Sequence, residues 1–127
     1  MKNKNYCTAS NIRYLIALLT LNKNNGGVRS VDLANFLDIA KPSVHNKMNT
    51  FISLGLVTKD FYGLIYFTPN GLNIAKQYNE LYKKALGLLK KAVNANEEEL
   101  QPAALSLVAC LPKSSSLYNR YNAELAL

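Results

Sequence analysis

One predicted helix of this chain carries hydrogen-bonding side chains along a single face. That face holds five residues at helical spacing: His45, Asn46, Lys47, Asn49 and Thr50. Small polar side chains of this kind can exchange hydrogen bonds with base edges in a major groove, and a lysine ammonium can contact a phosphate. The chemistry that this face favours is therefore recognition of a nucleic acid.

The helix is bounded by two residues with strong backbone preferences. Pro42 is tolerated only in the first turn of a helix, so it marks a start after the polar break at residues 38–41. Gly55 suits the position just past a helix C-terminus. The spacing of the apolar residues between them predicts an amphipathic helix that packs on one side. Its expected buried face comprises Val44, Met48, Phe51, Ile52 and Leu54.

A shorter helix is predicted directly before this one. Ser30 is the expected N-cap, and Leu33, Phe36 and Leu37 follow it at helical spacing. Two helices joined by a short turn, the second of them amphipathic with a polar outer face, form a helix-turn-helix.

A β-hairpin is predicted directly after the helix-turn-helix. Residues 56–59 and 64–68 are rich in Val, Ile, Tyr and Phe, and the tip between them holds Tyr62 and Gly63. The sequence therefore predicts a mainly α fold, a winged helix-turn-helix with a two-stranded wing. A small helical domain whose polar face is only solvated is the alternative. The proline start, the glycine stop and the order of elements all agree with the winged fold.

An apolar helix is predicted ahead of these elements. Residues 10–21 are apolar on much of the helix circumference, so this helix should be buried against others, with Ser10 as its N-cap. The sequence NKNNGG at residues 22–27 reads as a turn. Val28 and Arg29 are candidates for a short strand beside the hairpin.

A long helix is predicted from the TPNG junction at residues 68–71 to about Ala92. Its apolar stripe has roughly heptad spacing and is longer than a winged helix needs. The simplest explanation for the additional length of the stripe is that it packs against a partner helix from a second copy of the chain. A homodimer also suits the two-fold symmetry of DNA half-sites. Packing against the chain's own C-terminal helices is the alternative. We therefore expect a DNA-binding domain at residues 1–70 and a helical dimerisation domain at residues 71–127.

Two more helices are predicted toward the C-terminus. Residues 94–96 should cap the first, and the glutamates at residues 97–99 occupy its first turn, where the helix dipole favours carboxylates. A cation site is the alternative role for this acidic trio. Pro102 should kink the helix or mark its real first turn. The last helix is expected at residues 114–125. The expected buried face of the first comprises Leu100, Ala104, Leu107, Val108 and Leu111.

The net charge of +7 is unevenly distributed along the 127 residues. Residues 1–76 hold nine Lys and Arg against three Asp, a balance of +6, and the remainder holds six against five, a balance of +1. Positive charge thus accompanies the predicted DNA-binding half, as expected of a nucleic-acid footprint.

No apolar run approaches the ~20 residues that span a bilayer, and no signal peptide is recognisable. With only Cys7 and Cys110, a disulfide framework is not expected, and we predict a cytoplasmic protein.

The chain does not carry the side-chain sets of common enzymes. It has one histidine, no isolated pair of carboxylates beside an apolar pocket, no glycine-rich phosphate loop and no Ser or Cys with a nearby base. We therefore do not expect catalysis.

Several motifs resemble the diphtheria-toxin-repressor (DtxR) family of metal-dependent transcriptional repressors, within it the two-domain manganese-transport-regulator type. The motifs are VDLANFLDIAKPSVHNKM at residues 31–48, LGLV at 54–57 and GLIYFTPNGLNIAKQY at 63–78, and the resemblance covers about residues 10–111. It implies a homodimer that binds palindromic double-stranded DNA and acts as a transcriptional regulator, by expectation a repressor.

By this resemblance, the contacts to DNA fall on the second helix of the motif and on the wing. The implied DNA-binding residues are Lys41, Pro42, Ser43, His45, Asn46, Lys47 and Tyr62. Lys41 and Lys47 are expected near phosphates, and both a base and a phosphate contact are open to His45. Tyr62 is expected to touch the neighbouring backbone or the minor groove.

The family senses manganese or iron through ligands on three helices. Carried over position by position, these ligands fall on Ser10, Arg13, Tyr82, Leu105, Val108 and Ala109. None of these is a good ligand for a divalent first-row metal, and Arg13 would repel one. The sequence thus predicts no metal and no other cofactor, and a regulator that is metal-independent or answers another signal.

Three alternatives stay open at this point. The first is an iron- or manganese-dependent repressor with an altered metal site, and the second is a winged helix used only for protein interaction. The third is a thiol switch formed by Cys7 and Cys110. Because cysteine is among the most commonly buried residue types, inert core cysteines are favoured over this switch.

Overall fold

The computed structural model describes residues 8–110, which fold as helices with one small β-sheet. In chain order the elements are α1 (Ala9–Leu21), a 3-10 helix (Lys23–Asn25), α2 (Ser30–Leu37), α3 (Lys41–Ser53), β1 (Val57–Lys59), β2 (Ile65–Phe67), α4 (Pro69–Ala92) and α5 (Glu97–Cys110). This order confirms the predicted winged helix-turn-helix followed by a helical region. The predictions for Cys7, Leu111 and residues 114–125 lie outside the described residues.

A single hydrophobic core joins the helix-turn-helix to α4 and α5. Residues with no exposed surface come from all five helices: Ile12, Leu15, Leu33, Val44, Met48, Phe51, Ala75, Ala104 and Val108. Both α4 and α5 pack on α1 of the same chain. The long helix α4 also packs on α5, so its expected packing against a C-terminal helix of the same chain is present.

The first helix begins two residues earlier than a cap at Ser10 would require. Thr8 is the N-cap, and its hydroxyl oxygen accepts a hydrogen bond of 3.1 Å from the backbone nitrogen of Asn11. Thr8 and Ser10 are both suitable capping residues, so residue type alone does not choose between them. The expected burial of the helix is confirmed, because Ile12, Leu15 and four further residues are buried.

The α2 helix also starts differently from the prediction. Arg29 is its N-cap without a side-chain hydrogen bond, so Ser30 is the first helical residue and not the cap. Leu33 and Leu37 are buried as predicted, but Phe36 is 53 % exposed, so the buried face of α2 is narrower than predicted. Asp38 ends α2 in the left-handed region, with φ of +57°.

The α3 helix has the predicted boundaries. Pro42 lies in its first turn, and Gly55 has φ of +75° just past its end. The nitrogens of Gly55 and Leu56 donate to the carbonyls of Ile52 and Phe51 at 3.0 and 2.9 Å, which is the Schellman arrangement. Val44, Met48 and Phe51 are buried, but Ile52 is 40 % exposed, so the apolar face is narrower than predicted.

The wing is a two-stranded antiparallel sheet in which Val57 pairs with Phe67. Each strand is shorter than predicted, and Val28 adds one antiparallel bridge to Ile65, where a short strand was expected. Asp60 shapes the tip, because its Oδ1 accepts hydrogen bonds of 2.9 Å from the backbone nitrogens of Tyr62 and Leu64.

The start of α4 is fixed to the end of α3 by one threonine. The hydroxyl of Thr68 donates to the carbonyl of Gly55 at 2.6 Å and accepts from the nitrogen of Gly71 at 2.9 Å, so it is also the N-cap. Gly71 lies so close to Leu56 that a β-carbon there would be only 2.6 Å from the Leu56 carbonyl carbon. The orientation of α4 on the wing therefore depends on this contact.

A capping box begins α5, as the sequence predicts for residues 94–96. The Asn96 side chain accepts from the nitrogen of Glu99 at 2.9 Å, and the Glu99 carboxylate accepts from the nitrogen of Asn96 at 3.1 Å. Because α5 begins at Glu97, Pro102 does not mark its first turn. Leu100, Ala104 and Val108 are buried, but the expected burial of Leu107 is wrong, since this side chain is 45 % exposed.

Candidate nucleic-acid interface

The exposed side of α3 presents most of the residues that the sequence singled out for DNA contact. Lys41, Pro42, Ser43, His45 and Asn46 are all exposed. They are held in place because the opposite side of the helix buries Val44, Met48 and Phe51 completely. A rigid helix thus displays one cation and three hydrogen-bonding side chains near its N-terminus, the end that commonly contacts base edges in helix-turn-helix proteins.

Lys47 lies in a different environment from its neighbours. It is half-buried, and its Nζ donates a hydrogen bond of 2.6 Å to Oδ1 of Asn11. The same Nζ lies 5.5 Å from the centroid of the Tyr14 ring, within the range of a cation–π contact. The Lys47 ammonium therefore faces α1, and its expected contact with a phosphate stays a prediction.

We expect Lys47→Met to lower the free energy of unfolding by about 1–2 kcal/mol, because it removes a charged hydrogen bond to a buried asparagine. Lys41→Met is the matched control, since Lys41 is exposed and its loss should change stability by no more than about 0.5 kcal/mol. Urea unfolding of the two variants beside the wild type measures the difference. Equal stability of both variants would contradict the structural role of Lys47.

The wing tip presents two aromatic rings to solvent. Tyr62, which the resemblance implied, is 85 % exposed, and Phe61, which the sequence analysis did not single out, is 94 % exposed. The rings meet edge to face with centroids 5.4 Å apart. Two adjacent aromatic residues at a hairpin tip were the sequence signal that could have identified Phe61.

Asp60 links this tip to the second strand of the wing. Its Oδ2 accepts a hydrogen bond of 3.3 Å from the Tyr66 hydroxyl. The pKa of Tyr66 is raised, by desolvation first and then by the Asp60 carboxylate. A phenol is already protonated at neutral pH, and the raised pKa keeps the Tyr66 hydroxyl a donor to more alkaline pH.

The residues that the resemblance placed at metal-ligand positions have other roles in the structure. Arg13 donates from Nη2 to the carbonyl of Leu37 at 2.9 Å, and Ser10 is exposed. Val108 is completely buried. Within residues 8–110, no group of three or more His, Cys, Asp or Glu side chains is placed to hold a metal ion.

Cys110 is an exposed free thiol at the end of α5. The expected burial of this cysteine is therefore wrong, and its expected inertness stays a prediction. Cys7 lies outside the described residues, so a thiol pair between the two stays a prediction.

Comparison with known proteins supports the same type of domain. A sequence profile described as the IclR helix-turn-helix domain matches residues 13–60, which include most of α1 and all of α2, α3 and β1. No protein of curated function matches the sequence significantly. None of the described helices is long and apolar enough to cross a membrane.

Two solved structures share the fold over most of the chain. A hypothetical protein from Sulfolobus solfataricus superposes with a TM-score of 0.65 at 18 % identity, covering 93 % of this chain and 88 % of that one. IdeR from T. acidophilum superposes with a TM-score of 0.64 at 22 % identity, and the match covers 91 % of this chain but 54 % of IdeR. These likenesses establish the winged-helix fold, and with the profile match they support a DNA-binding transcriptional regulator. Membership of the DtxR family stays a prediction.

Proposed function

We propose that this protein is a homodimeric transcriptional repressor that binds palindromic double-stranded DNA without a metal switch. The exposed face of α3 carries the proposal, because His45, Asn46 and Ser43 offer hydrogen bonds at the N-terminal end of a helix whose other side is buried. Lys41 supplies a phosphate contact beside them. The wing then touches the adjacent backbone or minor groove with Tyr62.

The proposed dimer uses the C-terminal helices of two copies. The α4 helix is 24 residues long, and apolar side chains on or beside α4 and α5 stay exposed in the single chain. These are Leu88, Val93 and Leu107, each between 45 and 55 % exposed. A second copy that covered these side chains would form a dimer with two α3 helices, one for each DNA half-site. Analytical ultracentrifugation of the free protein measures this association.

Independence from metal is proposed from the side chains at the former ligand positions. Arg13 places a positive charge where the family would hold a cation, and its guanidinium is fixed to the end of α2. Tyr82, Leu105, Val108 and Ala109 bring one phenol and three aliphatic side chains. Such a set does not suit manganese or iron, which favour carboxylate and imidazole ligands.

Mobility-shift assays with genomic fragments test both parts of this proposal. We expect a retarded complex of equal affinity with added manganese, with added iron and with a chelator. Loss of the complex with the chelator would contradict metal independence and favour the metal-responsive alternative. Absence of any complex at low salt would contradict DNA binding and favour a protein-interaction module.

The aromatic wing tip gives a further expected result. Phe61→Ala and Tyr62→Ala should each weaken DNA binding about tenfold, because burying an exposed aromatic side chain against the duplex contributes about 1.5–3 kcal/mol. Fluorescence anisotropy on a bound fragment measures the affinity. Both rings are almost fully exposed, so the urea midpoint should not move. Unchanged affinity in the double variant would contradict a wing contact.

A further inference from the structure

A cavity of about 340 Å³ lies between four helices, apart from the exposed face of α3 and from the wing tip. Its volume falls within the range of pockets that take small organic ligands. Each of α1, α2, α4 and α5 contributes lining residues, among them Arg13, Phe36, Tyr82 and Gln101. The proposed DNA contacts use none of them.

One side of this cavity carries a fixed positive charge. The Arg13 guanidinium donates from Nη2 to the Leu37 carbonyl at 2.9 Å, which sets its position against the end of α2. Arginine offers five N–H donors in a planar fork, and that one bond is the only one it makes within residues 8–110. The remaining donors suit the two oxygens of a carboxylate.

Other lining residues supply neutral and acidic hydrogen-bonding groups. Tyr82 brings a phenol and Gln101 an amide, and Glu97 brings a carboxylate that pairs with Lys90 at 3.3 Å. The pKa of Tyr82 is raised, by burial first and by the charge of Glu97 second. The Tyr82 hydroxyl, like any phenol, is protonated at neutral pH and can donate a hydrogen bond. These groups suit a hydroxyl or amino group of an occupant.

The rest of the lining is apolar. Ile16, Phe36 and Leu105 contribute hydrocarbon surface to the same cavity. Phe36 is 53 % exposed, which is unusual for a phenylalanine and leaves its ring available to an occupant. Hydrocarbon surface does not bind a metal ion, whereas an organic molecule that covers this surface gains binding free energy.

We propose that this cavity binds a small organic carboxylate that has an apolar body and a second hydrogen-bonding group. The carboxylate pairs with Arg13, the body covers Phe36 and Leu105, and the second group meets Tyr82 or Gln101. The occupant thereby joins α5 to α2, the helix that directly precedes α3. The binding itself does not depend on the DNA-binding function proposed above.

Matched ligand pairs test the site without DNA. The probes are 4-hydroxyphenylacetate and indole-3-acetate, each beside its neutral carboxamide, titrated into the full chain labelled with nitrogen-15 and followed by NMR. We expect at least one carboxylate to shift amide signals of α1, α2 and α5, and to bind about tenfold tighter than its carboxamide. If neither carboxylate shifts these signals, or if the carboxamides bind equally well, the proposal is overturned.

Variants of the chain separate charge from structure. Arg13→Met should weaken carboxylate binding about tenfold, and Arg13→Lys should restore part of it. Arg29→Met is the matched control, because Arg29 is an exposed arginine outside the cavity that pairs with Asp32 at 3.1 Å. Equal carboxylate binding by Arg13→Met and the wild type would overturn the assignment. The same would follow if Arg29→Met weakened binding as much as Arg13→Met. Because no arm contains DNA, failure here is distinct from failure of the proposed function.

Discussion

Gly71→Ala should lower the free energy of unfolding by about 3 kcal/mol or more, the largest stability change expected from a single methyl group in this chain. The added β-carbon would overlap the carbonyl oxygen of Leu56 and lie 2.6 Å from its carbonyl carbon. Backbone cannot move aside as a flexible side chain can. The start of α4 would have to shift away from the end of α3, and the hydrogen bonds of Thr68 would be strained.

Gly87→Ala is the matched control for this prediction. Gly87 lies in the interior of the same helix, and a β-carbon there would meet nothing within 4 Å. Alanine has the higher helix propensity, so this variant should gain about 0.5–1 kcal/mol. Urea unfolding followed by circular dichroism measures both. A Gly71→Ala chain as stable as the wild type would show that α4 does not approach Leu56 as described.

The second large effect is expected at the recognition face of α3. Replacing both His45 and Asn46 by Ala should weaken binding to a preferred DNA sequence by about 30-fold or more, because each base contact contributes about 1–3 kcal/mol. Binding to unrelated DNA should change little, since phosphate contacts supply it. Both residues are exposed, so stability should be unaffected.

Asn73→Ala is the control for this double variant, because Asn73 is an exposed asparagine on α4 and is not among the proposed DNA contacts. Anisotropy titrations against one preferred and one unrelated duplex, at several salt concentrations, give the ratio of specific to non-specific affinity. An unchanged ratio in the double variant would mean that α3 does not read the sequence.

Much of the helix-turn-helix was predictable because its boundaries depend on local backbone preferences. Pro42 and Gly55 are the two residues whose conformational limits set the ends of α3, and the structure confirms both. The capping box at Asn96 is similarly local. Ser10 and Ser30 were wrong as predicted N-caps. The N-caps are Thr8, two residues before Ser10, and Arg29, one residue before Ser30.

The width of a buried face was harder to predict than its direction. Helical periodicity places Phe36, Ile52 and Leu107 on apolar faces, but each side chain is 40–53 % exposed. Lys47 shows the converse effect. It belongs to a polar face by spacing, but its long side chain reaches Asn11, thirty-six positions away in sequence.

The cavity beside Arg13 could not be predicted from the sequence. Its lining residues span the sequence from Arg13 to Leu105 and lie on four helices, so only tertiary packing brings them together. The resemblance to a metal-sensing family identified Arg13, Tyr82 and Leu105 as positions of interest, but it described them only as lost ligands. The new interpretation depends on the space between these side chains and on the hydrogen bond from Arg13 to Leu37.

The central claim is that α3 selects the DNA sequence for a two-fold symmetric protein. Selection from a random duplex library, with the wild type and with the His45→Ala, Asn46→Ala double variant, tests it most directly. We expect the wild type to enrich an inverted repeat with half-sites about one helical turn apart, and the double variant to lose this motif. Enrichment of the same motif by both proteins, or of none by the wild type, would contradict it.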